Sequence, residues 1–237
     1  MTAAAFISGW GATIRGSDGA IAHWKAALKQ PFDPWVESHG DETLLRSAAF
    51  DELKSAEQVR DRAVALIDRL NGAMALSRGS GPVRFAGVTQ VMPNGIRHRT
   101  LIAETAQYQI SGHAVTITVG PSPGQPSEVQ LWAGLAEDDD FLDDALIYFG
   151  TSTEWFDIYK TLETLILRFG PTEEAFFSLN WAAKKDVELL KRTANWARHA
   201  KRKFKPPDNP MLLSEASMLI GRLLRRALSE AAPSRAP

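Results

Sequence analysis

Residues 184–210 read KKDVELLKRTANWARHAKRKFKPPDNP. Two kinds of order are superposed in this stretch, and it ends in a hard stop. Val187, Leu190, Ala194 and Ala197, continued by Phe204, recur at helical spacing, which predicts a helix over about Lys184–Phe204. Pro206 and Pro207 lack backbone donors and end it. Nine lysines and arginines stand against Asp186, Glu188 and Asp208, so this is the most basic part of the chain. Beside the apolar stripe runs a polar row, Glu188, Arg192, Asn195, His199 and Arg202, at steps of 4, 3, 4 and 3 residues. Those steps keep all five on one helix face.

The neighbouring sequence is helical on both sides. Ala216, Leu219, Ile220, Leu223, Leu224, Ala227 and Leu228 give a clean 3–4 pattern, with Arg222, Arg225 and Arg226 on the outer side. Residues 232–237 form a disordered tail. Upstream, Trp155, Ile158, Tyr159, Leu162, Leu165, Ile166 and Phe169 form one stripe, with Thr153 as its cap and Gly170-Pro171 as its stop. Helices are also expected over Glu128–Ala136, Phe141–Phe149 and Thr172–Trp181. The six acids of Glu137–Asp144 suit the positive end of a helix dipole. They lack the glycine and spaced ligands of a calcium loop. Residues 128–231 therefore read as an all-helical bundle.

Residues 121–127, with three prolines and a glycine in PSPGQP, are read as a linker. Before them, over residues 1–120, the period differs. Ser55 with Gln58 makes a capping box, and Val59, Ala63, Leu66, Ile67 and Leu70 a buried stripe, so Ser55–Leu70 is a helix with Asn71-Gly72 a weak stop. Phe6–Arg15 reads as a strand, Ala20–Leu28 as a helix and Trp35–Phe50 as extended. Val83–Val91 and Ile96–Ala103 flank Pro93-Asn94-Gly95 as a hairpin. Gln107–Ile110 and Ala114–Val119 read as a second strand pair. A helix on a small antiparallel meander follows, and the fold class is α+β: an N-terminal α+β domain for recognition or assembly, then the helical bundle.

Composition narrows the chemistry. Apolar residues make 44% and charged residues 23%, the balance of a folded domain. The net charge of −1 hides an acidic run and a basic helix. Cysteine is absent, which excludes disulfides, thiolate metal sites and cysteine nucleophiles. No apolar run approaches the roughly 20 residues of a membrane span, and no signal peptide is evident, so a cytoplasmic protein away from membranes is expected. Arg78–Gly81 lacks the ending of a phosphate loop. His23, His39, His98 and His113 stand alone, without metal-ligand spacing. No cofactor or metal is called for.

The polar row is where chemistry concentrates. Histidine exchanges a proton near neutral pH, arginine stabilises charge on a phosphate, and asparagine positions. Arg192, Asn195 and His199 are thus candidate catalytic residues, and Arg198, Arg202 and Lys203 candidate nucleic-acid contacts. The plainer reading is a solvated basic face that bridges to Asp157 or Glu163. The run Arg192-Thr-Ala-Asn-Trp-Ala-Arg-His199 resembles the Arg-x4-6-His motif of HEPN domains, helical bundles of about this size. The resemblance spans about Glu128–Ala231 and implies a metal-independent ribonuclease or a degenerate RNA-binding module. Many members dimerise around a composite site, and they occur in toxin and phage-defence systems. Arg192 and His199 are the positions that carry over, while Thr193 follows the arginine where members often carry Asn, Asp or His. The expectation is an RNA-directed module with an N-terminal sensing domain, homodimeric through the helical part. The alternative is a catalytically inert helical interaction protein.

Overall fold

The computed structural model describes residues 8–40, 42–100, 124–199 and 203–232. The chain divides into two compact units, Met1–Leu131 and Trp132–Pro237. The first is an antiparallel sheet with helices and the second is all-helical, so the fold is α+β. The second expected strand pair, His113 and Arg202 lie outside the described residues. Among those described, no helix is long and apolar enough to cross a membrane.

The first unit contains β1 (Gly9–Arg15), α1 (Asp18–Ala27), β2 (Trp35–His39), β3 (Glu42–Arg46), α2 (Ala56–Arg78), β4 (Arg84–Val91), β5 (Arg97–Thr100) and the start of α3 (Glu128–Glu137). The strand order is β2-β3-β1-β4-β5, antiparallel throughout. The order is not sequential: β1 lies between two hairpins, and the Trp35–Phe50 segment is one of those hairpins followed by a short 3-10 turn, Ala48–Phe50. Gly95, at φ 79, makes the turn of the other hairpin, where only a residue tolerant of the left-handed region fits. Ser55 caps α2 by accepting from the Gln58 amide at 3.3 Å, while the Gln58 side chain accepts from Lys54 rather than from Ser55. The expected stripe of α2 is buried and packs against β1 and β4.

Asn71 does not stop α2. Its side-chain amide donates to the Val83 carbonyl and accepts from the Val83 amide, both at 2.8 Å, so it substitutes for a strand partner. The helix runs on to Arg78 and ends at Gly79, which takes the left-handed conformation. At the far end of the unit, Ser127 and Gln130 cap each other: the Gln130 amide donates to Ser127 Oγ at 3.1 Å and the Ser127 amide to Gln130 Oε1 at 3.0 Å. Gln130 Nε2 lies within 3.0 Å of the carbonyls of Lys29, Phe32 and Pro34. Those bonds tie the first turn of α3 to the first unit. The division between units accordingly falls inside α3, C-terminal to the Pro-rich stretch.

The second unit contains the rest of α3, then α4 (Asp140–Thr151), α5 (Trp155–Arg168), α6 (Glu173–Ser178), α7 (Lys184–Arg198) and α8 (Leu213–Ala231). Helix α5 is the hub, packing on α4, α6, α7 and α8. Thr153 does not cap it; Glu154 occupies that position without a side-chain bond. Thr161 and Thr164 join Ile158, Leu162, Leu165 and Ile166 in its buried face. Asp139 caps α4 by accepting from the Leu142 amide at 3.1 Å, and its other oxygen accepts from Arg168 Nε at 2.7 Å. The acidic run is therefore a cap with its own arginine partner. Helix α6 is shorter than the expected Thr172–Trp181, because Asn180 turns left-handed at φ 55 and Trp181 packs edge-on against Phe169, 4.8 Å between centroids. Every residue of the expected α8 stripe is buried.

Candidate functional site

Helix α7 lays Val187, Leu190, Thr193 and Ala194 against its neighbours and ends at Arg198, not at Phe204. The reason lies in the stripe. Beyond Ala194 the next position in step with the buried face is Arg198, and Ala197 is exposed. Nothing apolar remains to hold another turn to the bundle, and helices in proteins depend on such packing. His199 therefore leaves the helix: it is the C-cap residue, extended at φ −103 and ψ 161. The single-face row expected from the sequence holds as far as Asn195 and is broken before His199.

Each member of the row has a distinct environment. Arg192 is exposed on the helix surface. Asn195 is taken up by Arg198, whose Nε and Nη2 donate to Asn195 Oδ1 at 3.2 and 2.8 Å. The guanidinium of Arg198 stacks on Tyr159 of α5, 3.7 Å from the ring centroid. Arg198 thus anchors the end of α7 instead of pointing into solvent. Glu163, a candidate partner of the row, is held by Lys160 at 2.6 Å. Among the described residues neither Arg192 nor His199 forms an ion pair.

Thr193 is only 1% exposed. Its hydroxyl donates to the Leu189 carbonyl at 2.8 Å and accepts from the Met211 amide at 3.2 Å. The residue after the motif arginine is therefore a structural tether that brings the chain back for α8.

Past the helix end, the His199 ring lies 5.0 Å from that of Phe204, and Lys203 Nζ lies 5.6 Å from the Phe204 ring. Desolvation, followed by the charges of Lys203 and Arg198, holds the His199 pKa below its ordinary value of 6.5. The shift favours the neutral imidazole, the form that accepts a proton. Trp196 is 41% exposed and Phe204 38%. Neither is consumed by the core, although Phe204 continues the apolar stripe of the sequence.

Sequence reasoning missed a second cluster, in the first unit. His39 Nε2 lies 2.8 Å from Glu37 Oε1, and the buried Arg46 guanidinium approaches the same oxygen at 3.6 Å. Arg46 also donates to the carbonyls of Ser8 and Gly9, at 3.1 and 3.4 Å. Burial lowers the Arg46 pKa, against the opposing charges of Glu37 and Asp51. The signal was the period of two on β2, which sets Glu37 and His39 on one face. Compared with models of known protein families, with curated proteins and with solved structures, the chain matches none.

Proposed function

We propose that the chain is an RNA-directed module that binds unpaired RNA at the end of α7, with Arg192 and His199 as the pair that cleaves it without a metal ion. The observation that carries this reading is the exposure of two rings: Trp196, one turn from Arg192 on α7, and Phe204, beside His199 and Lys203. Exposed aromatic rings interleaved with cations suit stacked bases and phosphates together. A neutral His199 fits the role of general base. It would take the proton of a ribose 2′-hydroxyl, whose oxygen attacks the adjacent phosphorus. Arg192 would stabilise the charge that develops there. The 5′-oxygen leaves with a proton from water, giving a 2′,3′-cyclic phosphate and a 5′-hydroxyl. Asn195, bound to Arg198, positions the helix end and does not touch the substrate.

The test is incubation of mixed single-stranded RNA with the purified chain in EDTA. Cleavage should occur, and Arg192→Ala and His199→Ala should each lower it about a hundredfold or more while leaving the far-UV circular dichroism unchanged. Intact RNA under all conditions, with binding retained, would reduce the site to a binding one. The inert-interaction reading has one observation in its favour: Leu212 and Met218 near the start of α8 are 64% and 65% exposed. That reading predicts a dimer by light scattering that Met218→Asp dissociates, with no affinity for RNA.

A further inference from the structure

We infer that the cavity between α5, α6 and α7 is a guanine pocket, which sets the base preference of the proposed RNA site; this inference rests on the RNA reading above. The cavity measures about 210 Å³. At about 30 Å³ per liquid water that is the space of about seven waters, room for one base with its sugar and phosphate left outside. Ile166, Leu167 and Pro171 supply apolar walls, as the faces of a base require. Leu167 is half exposed at the rim.

The polar lining selects among bases. Lys191 of α7 and Glu173 of α6 are in direct contact in the wall, so an ammonium donor stands beside a carboxylate acceptor. Guanine carries two adjacent donors, N1–H and the N2 amine, with the O6 acceptor next to them. It is the one RNA base with two adjacent donors on that edge. Glu173 Oε1, which already accepts from Lys191, keeps a lone pair, and Oε2 is the second acceptor, so the two oxygens can take N1–H and the N2 amine while O6 faces Lys191, a bidentate match that adenine, cytosine and uracil cannot make. Glu163, the other carboxylate of the lining, pairs with Lys160, which does not line the cavity, so among the described residues no donor stands beside it to meet O6. The pocket is tied to the helix end through Tyr159: this lining residue carries the Arg198 guanidinium, 3.7 Å from its ring centroid, and Arg198 is the last residue of α7.

The experiment compares single-stranded uridine oligomers with one central guanosine, inosine or adenosine, by fluorescence anisotropy on the full chain. The guanosine oligomer should bind about tenfold tighter than the adenosine one, the usual scale of a bidentate base contact. Inosine, which lacks the N2 amine, should fall between. Glu173→Gln should abolish the difference between the guanosine and adenosine oligomers. Equal binding of all three oligomers overturns the pocket and leaves the RNA reading standing. If no oligomer binds, the RNA reading fails, and titration with guanosine 5′-monophosphate against adenosine 5′-monophosphate, followed by NMR, decides the pocket by itself. Selective shifts around Lys191 and Glu173 support it and their absence overturns it. If Glu173→Gln fails to fold, the base series on the unaltered chain still decides.

Discussion

Thr193 and His199 show how single residues divide between structure and chemistry. Thr193 lies inside the motif, yet both its hydrogen bonds are internal. Thr193→Val keeps the shape and strands the Met211 amide, so it should lower stability by about 1–2 kcal/mol, read from urea unfolding midpoints. The sign for His199 follows from its lowered pKa. Between the folded value and the unfolded 6.5, the unfolded chain binds more protons. This residue's contribution to stability is therefore full above pH 6.5 and is lost as pH falls through that window toward the folded value. NMR titration should place its midpoint below 6.5, and Lys203→Gln should move it upward. A midpoint at or above 6.5 would contradict the lowered pKa. Burial decides which residues could be recognised from the chain alone. His199 was legible as a histidine near an arginine. Its departure from the helix was not, because charge periodicity continues past Arg198 where apolar periodicity has ended.

At the scale of elements, what was legible is what apolar spacing dictates. The stripes Val59–Leu70 and Ala216–Leu228 are buried as read, because only a helix face brings those positions together. The misreadings came from polar side chains that imitate backbone. Asn71 looked like a helix stop and instead pairs with Val83. Ser127 and Gln130 carry a capping-box spacing that was readable, but the loop they hold could not be inferred from it. Thr161 and Thr164 occupy core positions on α5 that a purely apolar criterion passes over. Gln130→Ala should lower stability of the first unit by about 1–3 kcal/mol, since the buried Pro34 carbonyl and the part-buried bonds to Lys29 and Phe32 lose their donor. Hydrogen exchange localised to residues 28–35 and the start of α3 would check it. Unchanged protection there would show that the loop holds by other contacts.

At the scale of the whole molecule, a net charge of −1 forbids any general attraction to nucleic acid. RNA affinity must then come from the local field at the end of α7, and it must fall with salt as the log of concentration, at a slope of about 0.7 per phosphate neutralised. The α+β division was legible from the change of period along the chain, but the place of the division inside α3 was not, since it depends on hydrogen bonds between residues about a hundred positions apart. The central claim, that the end of α7 meets RNA through exposed rings, is tested most directly by anisotropy titration of labelled single-stranded RNA with the unaltered chain and with Trp196→Ala. Removing one stacking platform should weaken binding by about 5- to 100-fold, the equivalent of 1–3 kcal/mol, with unchanged folding because Trp196 lies outside the core. Equal affinity for the two proteins, or no RNA binding by the unaltered chain, would contradict it.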